Sequence, residues 1–271
     1  MPISKAGTAY ELSGPEGAPV VALIHGLGMS RGSTYADIVP ILAEKFRVLN
    51  YDLCGHGETA LPTQTPSLTV LSEQLITLMD ELGIEQAALV GFSLGGMINR
   101  RVAMDHPDRV SALCILNSPH ERGQEQQKLV EERARDTSAG GPGATIDATL
   151  ARWFTEGFRR DHADKVAEIR KVVMANHHEN YALHRFVLAA GVVELIRPEP
   201  PITHPTLIMT CEKDSGQPPE MSHAIASEIE GSEVIILPEL QHLGLIERPD
   251  LFAEPVKEFL SRKLQNNPSR P

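Results

Sequence analysis

The sequence predicts an α/β protein whose mostly parallel sheet is covered by helices on both faces. Two observations carry that prediction. Short runs of Val, Ile, Leu and Ala alternate along the chain with longer segments whose apolar residues recur at helical spacing. The short runs are apolar at nearly every position, as strands are when helices lie on both sides of them. A third observation marks where chemistry would sit. The run "AALVG" leads into Gly-Phe-Ser-Leu-Gly-Gly and then straight into a helix.

Taken in order, "APVVALIHG" is a buried strand ending at His25-Gly26, and "FRVLNYD" a second ending at Asp52. "LSEQLITLMDELGI" is a helix with Leu71, Leu75, Leu78 and Leu82 at helical spacing. "AALVG" is a strand, and "LGGMINRRVAMDHP" a helix stopped by Pro107. "VSALCILN", "PTLIMTC" and "EVIILP" are further strands. "PPEMSHAIASEIEG" sets Met221, Ile225 and Ile229 on one face and stops at Gly231. "LFAEPVKEFLSRKL" closes the chain with Phe252, Val256, Phe259 and Leu260, and the tail "QNNPSRP" is expected to fray.

One region breaks the alternation. From Pro119 to Pro201 no strand is legible. "ERGQEQQKLVEERARD" reads as a polar helix, "TSAGGPGA" as a loop rich in helix breakers, and the rest as two or three helices. Residues 119–201 are expected to form a helical insertion lying over a core built from residues 1–118 and 202–271.

Composition narrows the function. The 36 acids outnumber the 25 bases in the 271 residues, a formal net charge of -11. Such a surface repels phosphate backbones, so a nucleic-acid partner is not expected. The start "MPISKAGTAY" lacks the basic head and apolar stretch of a signal peptide, and no run approaches the ~20 apolar residues of a membrane span. A cytoplasmic monomer or homodimer with a small-molecule substrate is the expectation. Cys54, Cys114 and Cys211 are too few and too scattered for a disulfide framework.

The glycines around Ser93 have a steric reading. A strand that turns sharply into a helix forces the turn residue into a strained backbone conformation, and residues two positions away come too close for a side chain. Gly91 and Gly95 meet that demand, and the turn pushes the Ser93 hydroxyl out at the carboxyl end of the sheet. This is the G-x-S-x-G nucleophile elbow. Strain of ~1–3 kcal/mol tends to be kept where it serves function.

Three further stretches agree with it. Within "LIHGLG", a backbone N–H at Leu27 can face the serine, and the N–H of Leu94 would be the second donor of an oxyanion hole. Asp214 in "MTCEKDSG" follows one strand, and His242 in "LPELQHLGLIERPD" follows the last. The order Ser93, Asp214, His242 is the Ser…Asp/Glu…His order of one fold.

On these residues the chain resembles the α/β-hydrolase-fold enzymes over nearly its whole length. The matching stretches are His25-Gly26, "YDLCGHGET" from Tyr51, Gly91-Phe-Ser-Leu-Gly-Gly, "HPDRV" from His106, "EKD" ending at Asp214 and "QHLGLIERPDLF" from Gln241. Within that superfamily it is similar to 3-oxoadipate enol-lactonases and related carboxylesterases. The resemblance implies an eight-stranded sheet with a helical cap inserted after the sixth strand. Cys54 and Gln241 depart from the residues common in relatives at those places.

The implied reaction is hydrolysis of a carboxylic ester or lactone through an acyl-enzyme. Ser93 is the nucleophile, His242 the base, and Asp214 orients the imidazole. Carbon–carbon hydrolases and cofactor-free perhydrolases share these motifs, and a hydrolase-fold ligand receptor is the alternative from another class. Candidate substrate-contacting residues are His25, Gly26, Trp153, Phe154, Phe158 and Leu243, although the His25 side chain by itself reads as a structural hydrogen-bonder. Leu27, Leu94 and Leu243 would give a small, mostly apolar pocket. His120, His184 and Arg185 are polar candidates for an acidic substrate group. Asp52 reads as a brace for its loop. No cofactor and no metal are expected: H-E-x-x-H, a Cys/His cluster and a dinucleotide glycine motif are all missing, and His177-His178 diverge on a helix.

Overall fold

The computed structural model describes residues 2–136 and 140–265. Its strands are β1 (Tyr10–Ser13), β2 (Val20–Ile24), β3 (Arg47–Tyr51), β4 (Ala87–Phe92), β5 (Val110–Leu116), β6 (Thr206–Cys211) and β7 (Glu233–Leu237). They form one sheet in the order β1-β3-β2-β4-β5-β6-β7. β1 pairs antiparallel with β3, and every other pair is parallel. All residues of β4 and β6 are buried, so helices cover both faces at the centre. Leu23, Leu89, Ile115 and Met209 lie in this core with no exposed surface.

The expected eight strands are seven among the described residues. Ahead of β1 the chain makes a single bridge, Ile3 to Ala9, and Pro2 has no N–H with which to extend it. The helical insertion therefore follows the fifth strand, not the sixth.

The helices are α1 (Arg31–Tyr35), α2 (Val39–Leu42), α3 (Leu68–Glu81), α4 (Leu94–Asp105), α5 (Gln124–Asp136), α6 (Ile146–Trp153), α7 (Glu156–Asp161), α8 (Ala163–Met174), α9 (His178–Ala190), α10 (Pro219–Glu228), α11 (Gly244–Glu247) and α12 (Pro249–Gln265). Ser67 starts α3 by accepting the Val70 N–H at 3.1 Å. Leu71, Leu75 and Leu78 of α3 are buried as their spacing predicts. No helix among the described residues is long and apolar enough to cross a membrane.

Between β5 and β6 lie α5 to α9. The stretch read as two or three helices is four, α6 to α9. Thr155 breaks the run by capping α7 through the Phe158 N–H at 3.3 Å, and His162 leaves helical geometry at φ -130°. In the breaker-rich loop, Pro142–Thr145 form a 3-10 turn, while residues 137–139 lie outside the described residues. So do residues 266–271 of the tail.

Candidate active site

Ser93 joins β4 to α4 with φ 54° and ψ -111°, a conformation rare for a side-chain-bearing residue. The glycines permit it. A Cβ on Gly91 would overlap the Gly95 carbonyl, and a Cβ on Gly95 would overlap the Ile24 carbonyl. One on Gly96 would stand 2.6 Å from Ser118 Cβ. The turn is held from β5: the Ser93 N–H donates to the Leu116 carbonyl at 2.8 Å, and the Ser118 hydroxyl to the Ser93 carbonyl at 3.0 Å. Beneath it lies Arg100, 1% exposed, donating to the Gly96 carbonyl, Ser118 Oγ and the Pro119 carbonyl. Burial pulls its guanidinium down to about 10, opposed by Glu228, so it stays charged at neutral pH.

Asp214 follows β6 and His242 follows β7. His242 Nδ1 donates to Asp214 Oδ2 at 2.6 Å. Asn117 Nδ2 donates to the same oxygen at 2.9 Å, and the Gly216 and Gln217 N–H groups reach Oδ1 at 3.0 Å each. Burial pushes the Asp214 carboxyl up, but the His242 charge and the bonds from His242, Asn117 and Gln217 outweigh this and hold it below its ordinary value. A carboxylate only accepts, so the proton of neutral His242 sits on Nδ1 and Nε2 is left as an acceptor. The ring packs on Phe92, beside Ser93, with centroids 4.9 Å apart.

His25 orients the loop that carries the Leu27 N–H. Its Nε2 accepts the Leu53 N–H at 3.0 Å, so its Nδ1 carries the proton and donates to the Gly26 carbonyl at 2.8 Å. Carbonyl and N–H of one trans peptide point in opposite directions. Fixing the Gly26 carbonyl therefore fixes the Leu27 N–H. A Cβ on Gly26 would lie 3.3 Å from Ser93 Cβ, so this loop runs alongside the serine. Leu94 is the first residue of α4, where an N–H has no acceptor within the helix and the helix dipole favours negative charge.

Ser93, Asp214 and His242 line one cavity of about 710 Å³, with Gly26, Leu27, Trp153 and Leu243. The Leu243 N–H donates to the Trp153 carbonyl at 2.9 Å, tying the insertion to the histidine loop. Several expected contacts are not brought there. The His25 side chain is fully buried behind the loop it braces. Phe154 and Phe158 stack on each other at 5.2 Å inside the insertion, where their apolar rings are hidden from the cavity. The Leu94 side chain is buried in the core. His120 is held by Glu228 at 3.1 Å, and His184 by the Asn180 carbonyl at 2.9 Å. Arg185 does line the cavity. Nor is the pocket small and mostly apolar, because the insertion brings Arg122, Gln126, Arg152 and Tyr181 into its wall.

Asp52 braces its loop, as read from the sequence. It accepts the Arg31 N–H at 2.8 Å and the Glu58 N–H at 3.0 Å, and pairs with the Arg31 guanidinium. Asn117 was not singled out from the sequence; its only signal is a polar residue closing the apolar run "CIL". Its φ of 45° aims the side chain at Asp214. His56 was missed too. Its ring lies between those of His25 and His184, at 5.3 and 4.7 Å between centroids. Among the described residues no group of three or more His, Cys, Asp or Glu is placed to hold a metal ion.

Comparison with known proteins adds an independent line. Residues 19–249 match the family described as alpha/beta hydrolase fold. A Klebsiella pneumoniae protein with the provisional name carbamate hydrolase RutD is 30% identical, the match covering 92% of this chain and 93% of that one. The 3-oxoadipate enol-lactonase 2 of Acinetobacter baylyi is 26% identical over 93% of this chain and 92% of its own. The crystal structure of the enol-lactonase from Burkholderia xenovorans LB400 superposes with a TM-score of 0.84 at 31% identity, over 94% of this chain and 96% of that one.

Proposed function

Because the chain belongs to the alpha/beta hydrolase fold family, we propose that it is a serine hydrolase that cleaves a carboxylic ester or lactone of a small molecule. One observation carries the reading: Ser93 and His242 open onto the same cavity, and His242 is locked by Asp214 into the tautomer a base requires. Similarity to enol-lactonases supports an oxygen ester as the bond cleaved, and the similarity to a carbamate hydrolase makes a carbamate the competing substrate to assay beside it.

In this reading Ser93 attacks the carbonyl carbon while His242 Nε2 takes the hydroxyl proton. Asp214, kept ionised, stabilises the imidazolium that forms. The Leu27 and Leu94 N–H groups receive the negative oxygen of the tetrahedral intermediate. His242 then gives its proton to the leaving alkoxide, and the same ring activates water to release the acid. In a lactone the leaving oxygen stays tethered to the acyl group. Residues 119–201 act as a cap, setting what enters through Trp153, Tyr181 and the polar wall.

A fluorophosphonate probe tests the reading. Stoichiometric labelling of Ser93, lost in Ser93→Ala together with turnover of p-nitrophenyl acetate and enol-lactones, is the expected result. An unlabelled wild-type protein would refute it, and cleavage of a vinylogous diketone in place of esters would move the chemistry to a carbon–carbon bond.

A further inference from the structure

The wall of the cavity beyond Ser93 is rich in guanidinium groups, since Arg122, Arg152 and Arg185 all line it. Their partners in the protein are few. Arg122 donates to Gln127 Oε1 at 3.2 Å, and no acid pairs with it among the described residues. Gln127 cannot turn further toward it, because its amide donates to Glu131 and to the Ala189 carbonyl. Arg185 donates to Thr145 Oγ1 at 3.4 Å, and no acid pairs with it among the described residues. Arg152 places Nη1 3.8 Å from where a Cβ on Gly216 would lie, in the loop that follows Asp214.

The acids of the same wall do not balance these charges. Asp214 is engaged by His242, and Glu121 is drawn outward to Arg197 at 3.0 Å. Glu220 is left, exposed at the rim. The cavity is thus a positive recess in a chain of net charge -11. Arg122 is half-buried, and burial pulls its guanidinium below its ordinary value. A guanidinium partly removed from water without a counter-charge is less favourable than one paired with an acid. A ligand that brought a carboxylate would relieve this, and the planar fork of Arg suits that group in two-point contact. Tyr181 adds a neutral donor beside Arg185 and Arg152: burial raises its hydroxyl above the ordinary value, and the two guanidinium charges oppose the rise. Its ring closes over the oxyanion loop, 2.8 Å from where a Cβ on Gly28 would stand.

We propose that the cavity takes an acyl substrate carrying a second, ionised carboxylate, and that Arg122 is the residue that recognises it. The proposal rests on the hydrolase reading of Ser93 for the word substrate, though not for the binding itself. Arg152 and Arg185 supply the surrounding positive field.

The test compares p-nitrophenyl hydrogen glutarate with its neutral methyl ester. Wild-type kcat/KM is expected to favour the anion by tenfold or more. Arg122→Gln lowers the anion's value by about 10- to 100-fold, chiefly through KM, as loss of a charged hydrogen bond does. The neutral ester shifts less than twofold, which also shows that the variant folds. Arg122→Lys recovers part of the preference. Equal rates for the two esters in wild type would overturn the proposal. So would an Arg122→Gln variant that loses both esters equally, or one that keeps the preference while Arg152→Gln or Arg185→Gln abolishes it. Calorimetry of glutarate with Ser93→Ala needs no turnover. Binding that Arg122→Gln removes, in a protein that hydrolyses neither ester, would sink the hydrolase reading and leave the anion subsite standing. Turnover of the esters without glutarate binding would do the reverse.

Discussion

Leu53 donates its N–H to Nε2 of His25, and that one bond decides which way the Gly26–Leu27 peptide faces. With Nε2 occupied, the His25 proton sits on Nδ1 and holds the Gly26 carbonyl. On the hydrolase reading, His25 is thus a positioning residue acting through the Gly26–Leu27 peptide. His25→Ala is expected to lower kcat about 10- to 100-fold with little change in KM, somewhat less than loss of a whole oxyanion donor. It also leaves the buried Leu53 N–H without a partner, which destabilises the fold by about 1–3 kcal/mol. Steady-state kinetics on variant that fluorophosphonate counts as active separates the two effects. A change confined to KM would refute the positioning role.

Asp214→Asn presents the imidazole with an amide that can donate as well as accept, and the wrong tautomer becomes available. A fall of about 10⁴ in kcat is expected, by analogy with the worked serine-protease template, with KM nearly unchanged. Asn117→Ala removes one bond to the same carboxylate and should weaken catalysis less than tenfold. Kinetics of the two variants side by side check the ranking.

Gly95→Ala places a methyl group against the Ile24 carbonyl and 3.0 Å from that of His25. Both are backbone atoms at the end of β2 and cannot swing aside. A loss of roughly 1–3 kcal/mol or more is expected, read as a lower urea midpoint at constant slope. Turnover should vanish even in the fraction that folds. Unchanged stability would mean that the turn has more room than its geometry indicates.

Acid should destabilise the chain through its buried histidines. Burial lowers the pKa of His25, opposed by Asp52; burial, then the charges of His25 and His184, lowers His56 well below its ordinary value; burial takes His184 to about 4. In the unfolded chain each titrates near ~6.5. Below that pH the unfolded state binds more protons, so stability rises with pH there and is complete above it. The loss begins as pH falls through ~6.5 and continues to about 4, where His184 alone accounts for roughly 3 kcal/mol. Urea unfolding at pH 7.5, 6 and 5 measures the slope, and His184→Gln should flatten it. A stability curve that is level across this range would contradict neutral burial of the cluster.

Much of this architecture was legible because local rules and tertiary demands agree. The strands ending at Ile24, Phe92, Leu116 and Cys211 are apolar throughout because the sheet is covered on both sides. The glycines around Ser93 could be read because a steric demand leaves a residue-type signature. The wall of the cavity left none. Arg122, Arg152 and Tyr181 sit in segments whose own periodicity only says helix or loop, and what they face is set by how the insertion docks. Phe154 and Phe158 show the same limit from the other side: large apolar rings announce burial, not which surface they are buried against. Asn117 was hidden because a left-handed backbone angle at an asparagine is invisible until the chain is folded.

The sheet order sets a condition on when this chemistry can exist. Ser93 follows the fourth strand, His242 the seventh, and the Asp214 carboxylate that bonds His242 the sixth. During synthesis the hydroxyl emerges long before any base for it has been made. Until β6 and β7 have docked at the edge, the chain holds an inert alcohol in a crowded turn. On the hydrolase reading, the hydroxyl gains its base only once that edge has closed, so a copy truncated before β7 would be expected not to acylate itself on whatever ester it meets.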